Sequence, residues 1–180
     1  MIRFDILTLF PDMIKGLLSD SIIKRAINNK QIEVNLIDFR EFSTNKHKTV
    51  DDYAYSGGAG MLIQCQPVID TLKSIKNYQE AYKIITSAQG TTFNQKKAQE
   101  LSKLEHLIII CGHYEGIDNR VLNYVDEEVS IGDFILTGGE IAALTIIDSV
   151  IRLIPDAIAD QSIEDESFEI GLLEYPQYTK

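Results

Sequence analysis

The sequence predicts an α/β domain in which helices flank a mostly parallel sheet, and three observations support this prediction. Short apolar segments alternate along the chain with segments of helical spacing, which is the order of βαβ units. Glycine-bearing turns follow Thr86, Ile110 and Ile135, where predicted strands end. An apolar segment of helical length comes after the last of these turns. A small-molecule site is therefore expected at the carboxyl ends of the strands.

The N-terminal part of the chain is predicted to contain two strands and two helices. The first strand covers 4–10, and a helix begins after Pro11. A second helix is expected over 21–29 and a second strand over 32–37. The polar stretch 38–60 is long for a loop inside a compact domain, and loops of this length are usually functional or mobile.

The rest of the chain continues the alternation and ends in an acidic segment. The predicted elements are a helix over 67–76, a strand over 81–86, a helix over 94–103, a strand over 106–110, a helix over 119–124, a strand through Val129 and Ile131, and a long helix from Glu140 to about Leu153, which Pro155 ends. We predict one domain over 1–160 and a separate acidic segment over 161–180.

The charge of the chain weighs against nucleic-acid binding. The net charge is −10, from 17 Lys+Arg and 27 Asp+Glu, whereas proteins that bind phosphates are usually basic. A local basic patch around Arg40, Lys46 and Lys48 leaves RNA binding open. No apolar run reaches the roughly 18 residues of a membrane span, so a cytoplasmic location without a membrane partner is expected. The two cysteines, Cys65 and Cys111, support neither a disulfide framework nor a zinc site.

The glycine-bearing turns define the candidate pocket. Glycine lets a backbone approach a ligand closely, so such turns suit recognition of an adenine edge by main-chain groups, although each could also be an ordinary tight turn. Neither a phosphate-binding G-x-x-x-x-G-K-[ST] motif nor a G-x-G-x-x-G motif after the first strand is present. His106 begins a strand and is interpreted as structural, whereas His113 lies within a glycine turn and is open to either role.

Three further polar residues are candidates for a functional role, whereas most carboxylates of the chain are expected on the solvated surface. Glu115 lies beside Tyr114 inside a glycine turn, and Asp51 lies in the long loop, where it suits the ordering of a substrate. Arg152 falls at the end of the last helix, where it could simply balance the helix dipole.

Several motifs closely resemble the bacterial tRNA (guanine-N1)-methyltransferase family. The strongest are CGHYEGID over 111–118, SIGDFILTGGE over 130–140 and DSVIRLIP over 148–155. Further matching segments cover 9–13, 47–52, 57–61 and 171–178, so the resemblance extends over essentially the whole chain.

The resemblance implies a SPOUT-class domain with a deep trefoil knot that works as a homodimer. It implies that the three turns hold S-adenosylmethionine and that the methyl acceptor is N1 of guanosine 37 in tRNA. The residues that would line the cofactor pocket are Ser87, Ala88, Gly90, Gly112, Tyr114, Glu115, Ile131, Gly132, Leu136, Gly138 and Gly139.

The resemblance also implies catalytic and substrate-binding residues. Guanine N1 carries a proton at neutral pH, so a general base has to remove it. The family uses an aspartate directly before Ser-Phe, but Glu166 stands there in this chain, which leaves Glu166 and Asp165 as alternatives. Arg152 matches an arginine that would stabilise negative charge on guanine O6. The implied substrate-binding residues are His47, Asp51, Gly58 and Ser167.

The chain departs from the family pattern at several points. Ala59, Ala88 and Ala142 stand where the family usually has proline. Family members continue into a helical domain that grips tRNA, so weak tRNA affinity is expected of residues 1–180. The resemblance implies a magnesium dependence, although the sequence shows no dedicated metal ligands. A cofactor-binding but impaired domain, a SPOUT enzyme acting on the ribose 2′-OH and a dimeric interaction module remain as alternatives.

Overall fold

The computed structural model describes most of the chain, namely residues 1–155, 157, 167–168, 175–176 and 178–179. Its elements are, in chain order, β1 (Ile2–Thr8), α1 (Pro11–Leu18), α2 (Ser21–Asn28), β2 (Ile32–Asp38), a 3-10 helix (Phe39–Phe42), β3 (Asp51–Tyr53), β4 (Met61–Ile63), α3 (Cys65–Ser74), β5 (Tyr82–Thr92), α4 (Gln95–Leu101), β6 (His106–Ile110), a second 3-10 helix (Asn119–Tyr124), β7 (Glu127–Ser130) and α5 (Glu140–Ile151).

Five of the strands form one sheet in the order β2-β1-β6-β5-β7. Every pairing in this sheet is parallel. β1 and β6 lie in its interior and are almost entirely buried on both sides, and β6 is apolar from Leu107 to Ile110, as is typical of strands covered on both faces. The predicted α/β class with a mostly parallel sheet flanked by helices is confirmed.

The helices cover the sheet in two layers. Along β6, Leu107 and Ile109 pack in the cluster that contains α1, α2, α4 and α5. Ile108 and Ile110 point to the opposite face and pack in a second cluster with α3 and the second 3-10 helix. The period-2 alternation of one apolar strand therefore serves both layers. No helix of the described residues is both long and apolar enough to cross a membrane.

The observed elements differ from the predicted ones at three places. β5 continues to Thr92 rather than ending at Thr86, because β7 pairs with both Thr86 and Thr91 around an irregularity. The stretch 38–60 contains the first 3-10 helix and the strand β3, which pairs with β4 in a small antiparallel sheet. The predicted helix over 119–124 is a 3-10 helix, with the Asp118 carboxylate accepting from the Arg120 amide at its start.

A buried carboxylate connects the three adjacent strands β2, β1 and β6, at a distance from the glycine turns. Asp5 is fully buried in β1 and accepts from the Asn35 side chain at 2.9 Å and from Arg3 at 3.2 Å. The Nε2 atom of His106, at the start of β6, lies 2.7 Å from the same carboxylate. This contact agrees with the structural interpretation of His106.

Loss of the Asp5 carboxylate should destabilise the domain strongly. We expect Asp5→Ala to lower the free energy of unfolding by about 3 kcal/mol, because it leaves Arg3 and His106 partly buried without their acceptor. Urea denaturation measures this effect. Asp12→Ala is the control, since Asp12 pairs with Lys15 on the surface and should cost less than about 1 kcal/mol. Equal losses in the two variants would contradict the prediction.

Candidate active site

A cavity of about 430 Å³ lies at the carboxyl ends of β5, β6 and β7 and the start of α5. Its walls are the three glycine-bearing turns of the sequence prediction, which occupy 86–89, 112–119 and 130–139. These turns are far apart in sequence, and the parallel sheet brings them together because the carboxyl ends of its strands share one edge. The prediction of a small-molecule site at this edge is therefore supported by the geometry.

Ten of the eleven predicted cofactor-binding residues line this cavity. They are Ser87, Ala88, Gly112, Tyr114, Glu115, Ile131, Gly132, Leu136, Gly138 and Gly139. Gly90 is the exception, since it is absent from the lining. A Cβ at Gly90 would meet the backbone of Glu128 and Val129 at 2.5 Å, so this glycine allows β5 to pack closely on β7.

The wall between the second and third turns is the most tightly packed part of the site. The Gly139 amide donates to the Gly112 carbonyl at 2.7 Å. A Cβ at Gly139 would overlap the Thr86 hydroxyl and lie 2.8 Å from the Gly112 nitrogen and 2.9 Å from Cys111 Cα. The segment before α5 thus passes directly against the ends of β5 and β6. The resemblance assigns the knotted cofactor pocket to these turns.

The second turn has an unusual backbone that neighbouring segments hold in place. Tyr114 and Gly116 both have positive φ angles, of 59° and 130°. The Glu115 amide donates to the Met61 carbonyl of β4 at 3.0 Å, and the Gly116 carbonyl accepts from Ile63 at 2.9 Å. β4 therefore fixes one side of the cavity wall.

The electrostatic character of the cavity is acidic. Glu115, Asp118 and Glu128 contribute carboxylates to the lining, and neither lysine nor arginine occurs among the described residues that form it. Side-chain hydrogen bonds from Arg120 lower the pKa of Asp118, so this carboxylate is charged at neutral pH. Such a cavity suits a cationic ligand and disfavours a phosphate.

Sequence reasoning missed two of these carboxylates, Asp118 and Glu128. For Glu128 a usable signal existed, because successive side chains of a strand point to opposite faces. Its neighbour Glu127 accepts from Lys97 at 2.8 Å and from the Tyr82 hydroxyl at 2.9 Å, away from the cavity. A sequence analysis that placed the Glu127 side chain on the side of α4 would therefore have predicted that the Glu128 side chain points towards the cavity.

Three of the predicted substrate-binding residues, His47, Asp51 and Gly58, lie in the 38–60 stretch and do not line the first cavity. A second cavity, of about 860 Å³, opens between 52–56 of this stretch, β4 and the second 3-10 helix. The two cavities share Asp118 and Asn119 in their linings and therefore adjoin.

The predicted catalytic residues lie elsewhere or outside the described residues. Arg152 is the C-cap residue of α5 and is half-buried. The 12 residues of α5 place it about 18 Å from the Glu140 end that borders the cavity. Ser167 is half-buried and lies outside the lining of both cavities, and the alternative bases Asp165 and Glu166 fall outside the described residues.

The described part of the chain also bears on metals and on cysteine chemistry. It contains no group of three or more His, Cys, Asp or Glu side chains placed to hold a metal ion.

Cys111 is buried beneath the cavity wall, and burial raises the pKa of its thiol well above the ordinary value. Cys111 is therefore unreactive core, as its position at the end of an apolar run predicted.

Comparison with known proteins identifies the family. The family model described as tRNA (Guanine-1)-methyltransferase TrmD matches residues 2–180. A curated tRNA (guanine-N(1)-)-methyltransferase of Geobacillus kaustophilus is 53% identical over 99% of this chain and 74% of its own length. The Mycoplasma capricolum relative of the same name is 49% identical with the same coverage. The crystal structure of the tRNA (m1G37) methyltransferase from Aquifex aeolicus is 40% identical, with a TM-score of 0.85 over 99% of this chain and 76% of that chain.

The cavity, the parallel sheet and these matches define the class of the protein, which is an α/β methyltransferase. The chain belongs to the tRNA (guanine-1)-methyltransferase family. A member of this family needs a methyl donor, and the family predicted from the sequence motifs is confirmed.

Proposed function

We propose that this chain transfers a methyl group from S-adenosylmethionine to N1 of guanosine 37 in tRNA. The family supports the reaction, and the names of the relatives support the acceptor base. The observation that carries the choice of methyl donor is the acidic cavity of about 430 Å³ at the strand ends. S-adenosylmethionine carries a sulfonium, an ammonium and a carboxylate, and therefore a net positive charge, beside its adenine ring. The carboxylates of the cavity lining suit this net charge, and its backbone turns suit the ring edge.

The residues of the cavity fit this donor. Gly112, Gly138 and Gly139 line the cavity, and the absence of side chains at Gly138 and Gly139 lets the turns pack closely around it. Glu115 and Glu128 supply negative charge in the lining. When bound, S-adenosylmethionine supplies an electrophilic methyl group, and the chain itself orients the donor and excludes water from it. The other six predicted residues that line the same cavity are Ser87, Ala88, Tyr114, Ile131, Gly132 and Leu136.

During the reaction, the protein has to accept one proton from guanine N1 and stabilise the negative charge that develops on the base. A carboxylate, either Glu166 or Asp165, accepts the proton from guanine N1. Arg152 donates hydrogen bonds to guanine O6 and stabilises the negative charge that builds there. The acceptor nucleotide is held by Ser167, which follows the alternative bases in sequence, and by His47, Asp51 and Gly58 of the 38–60 stretch.

A homodimer is part of this proposal. Arg152 lies about 18 Å along α5 from the cavity border of its own chain, so it is suited to serve the cavity of a second copy. Large apolar side chains are exposed on the packed pair α1 and α5, including Met13, Leu17 and Ile141. Large exposed apolar side chains on two helices that pack together are consistent with an interface between two copies.

The acceptor tRNA approaches through the second cavity, which adjoins the first at Asp118 and Asn119. Its affinity for residues 1–180 is weak, because the net charge of −10 opposes phosphate binding. A magnesium requirement is proposed on the family resemblance alone, because the described residues include no cluster of side chains placed to hold the ion. If magnesium is required, EDTA should lower the rate without lowering donor affinity.

The first experiment measures donor binding separately from chemistry. Calorimetry with S-adenosylmethionine should give a micromolar-scale dissociation constant for the unmodified chain. Complete absence of binding would overturn the proposed donor. Binding without methyl transfer to any tRNA would favour an impaired domain, and methylation that persists when guanosine 37 is replaced would favour a ribose 2′-OH enzyme.

The second experiment identifies the general base. In single-turnover methyl transfer, we expect one of Glu166→Ala and Asp165→Ala to lose about 100-fold or more in rate, because proton removal is worth that much. The other variant is the matched control, since it removes a neighbouring carboxylate of the same charge. Full activity in both single variants would exclude both residues as the base.

A further inference from the structure

A buried glutamate at the start of α5 has one carboxylate oxygen without a partner. Glu140 is only 1% exposed, and its Oε1 atom accepts from the Thr8 hydroxyl at 2.7 Å. Its Oε2 atom is also buried but has no hydrogen-bond partner among the described residues. A buried carboxylate oxygen without a hydrogen bond lowers the stability of the folded protein, so a hydrogen-bond donor is expected near Glu140 Oε2.

The imidazole of His113, in the cavity wall, lies near the same glycine as this oxygen. A Cβ built on Gly138 would lie 2.5 Å from Glu140 Oε2 and 2.9 Å from His113 Nε2. The two atoms therefore lie at most 5.4 Å apart, the sum of these distances of 2.5 and 2.9 Å, although no hydrogen bond joins them in this structure. The backbone bridge between His113 and Gly138 keeps the imidazole on this side.

His113 belongs to the turn 112–116, whose backbone conformation depends on contacts from neighbouring segments. The next residue, Tyr114, has a φ of 59°, a conformation that a side-chain-bearing residue adopts only when its surroundings hold it. The rings of Phe10 and His113 are 4.7 Å apart, and the Phe10 amide donates to the same Thr8 hydroxyl that binds Glu140. One closed set of contacts thus joins the end of β1, the start of α5 and the cavity wall.

We propose that Glu140 and His113 act as a positioning pair: when the methyl donor fills the cavity, the His113 Nε2–H donates to Glu140 Oε2 and fixes the turn 112–116 against the ligand. This inference rests on the proposed function, because the ligand that closes the contact is S-adenosylmethionine. Neither side chain touches the reacting atoms, and both act through the backbone of the turn that binds the donor.

The chemistry of the pair makes a clear test possible. Glu140→Gln keeps an oxygen for the Thr8 hydroxyl but replaces Oε2 by an NH2 group, which is a donor. The Nε2–H of His113 would then face another donor, so the imidazole changes to the tautomer protonated on Nδ1 and accepts through Nε2. The chain has three histidines, and the spectrum of His113→Asn assigns the signals of His113.

The experiment combines nitrogen NMR of labelled histidine with a double-mutant cycle of S-adenosylhomocysteine binding. In the parent chain with ligand, we expect His113 to be protonated on Nε2, and in Glu140→Gln on Nδ1. Glu140→Gln and His113→Asn should each weaken ligand binding about 10-fold, and the double variant should lose little more than either. Glu127→Gln is the matched control, since Glu127 binds Lys97 and Tyr82 away from the cavity.

The possible outcomes separate the inference from the proposed function. Additive losses, about 100-fold in the double variant, together with an unchanged His113 tautomer, would overturn the positioning pair while donor binding by the parent stands. No ligand binding by the parent chain would overturn the proposed function and the inference together. A similar loss of affinity in Glu127→Gln would assign the effect to general stability and overturn the specific role.

Discussion

Replacement of Gly139 by alanine is expected to destabilise the domain by about 3 kcal/mol and to abolish donor binding. The added Cβ would overlap the Thr86 hydroxyl and press on the backbone at Gly112 and Cys111, at 2.8 and 2.9 Å. Backbone atoms at the ends of two central strands cannot move aside cheaply, because the sheet fixes them. The thermal midpoint should fall by about 6–12 °C, measured by calorimetry with and without S-adenosylmethionine.

The control for this variant is Gly16→Ala. Gly16 lies in α1, and a Cβ there would have no atom within 4 Å, so alanine should be neutral or should stabilise the helix by up to about 1 kcal/mol. An unchanged midpoint and normal donor binding in Gly139→Ala would show that the two turns do not approach each other as closely as in this structure.

Periodicity was sufficient to predict the approximate positions of the five strands of the main sheet along the chain and the parallel class of that sheet, but not the order of its strands. The run His106–Ile110 is apolar at Leu107 through Ile110, and the structure places it at the centre with both faces covered. Periodicity could not predict the continuation of β5 to Thr92, because that extension depends on pairing with β7 rather than on its own side chains. Long-range pairing also explains the strand β3, which exists only because β4 returns beside it.

The part of the site that consists of glycine-bearing turns and family motifs could be predicted from the sequence. The glycines at 112, 138 and 139 indicated close backbone approach, and all three line the cavity. Gly90 shows the limit of this reasoning, since its lack of a side chain serves strand packing rather than the cavity. The partnerless oxygen of Glu140 could not be predicted at all, because it depends on three segments that meet only in the fold.

Arg152 offers the prediction with the largest expected effect on rate. We expect Arg152→Ala to lower the rate constant of methyl transfer about 100- to 1,000-fold with donor affinity unchanged, because in the proposed mechanism the guanidinium stabilises charge that develops in the transition state. Arg152→Lys should recover part of the loss, since it keeps the charge but not the fork of donors. Single-turnover rates and calorimetry give the two quantities separately.

A mixed dimer tests whether this arginine serves the other subunit. One chain would carry Arg152→Ala, and the second would carry Ala88→Trp, which fills the cavity from its exposed rim. Neither variant should be active as a homodimer, but the mixed dimer contains one intact cavity and one intact arginine on different chains. If Arg152 serves the cavity of the other chain, the intact cavity and the intact arginine form one complete site, and activity returns to about half of the parent level. The distance of about 18 Å along α5 between Arg152 and the cavity of its own chain favours this outcome. If the arginine served its own cavity, no site in the mixed dimer would be complete and no activity would return.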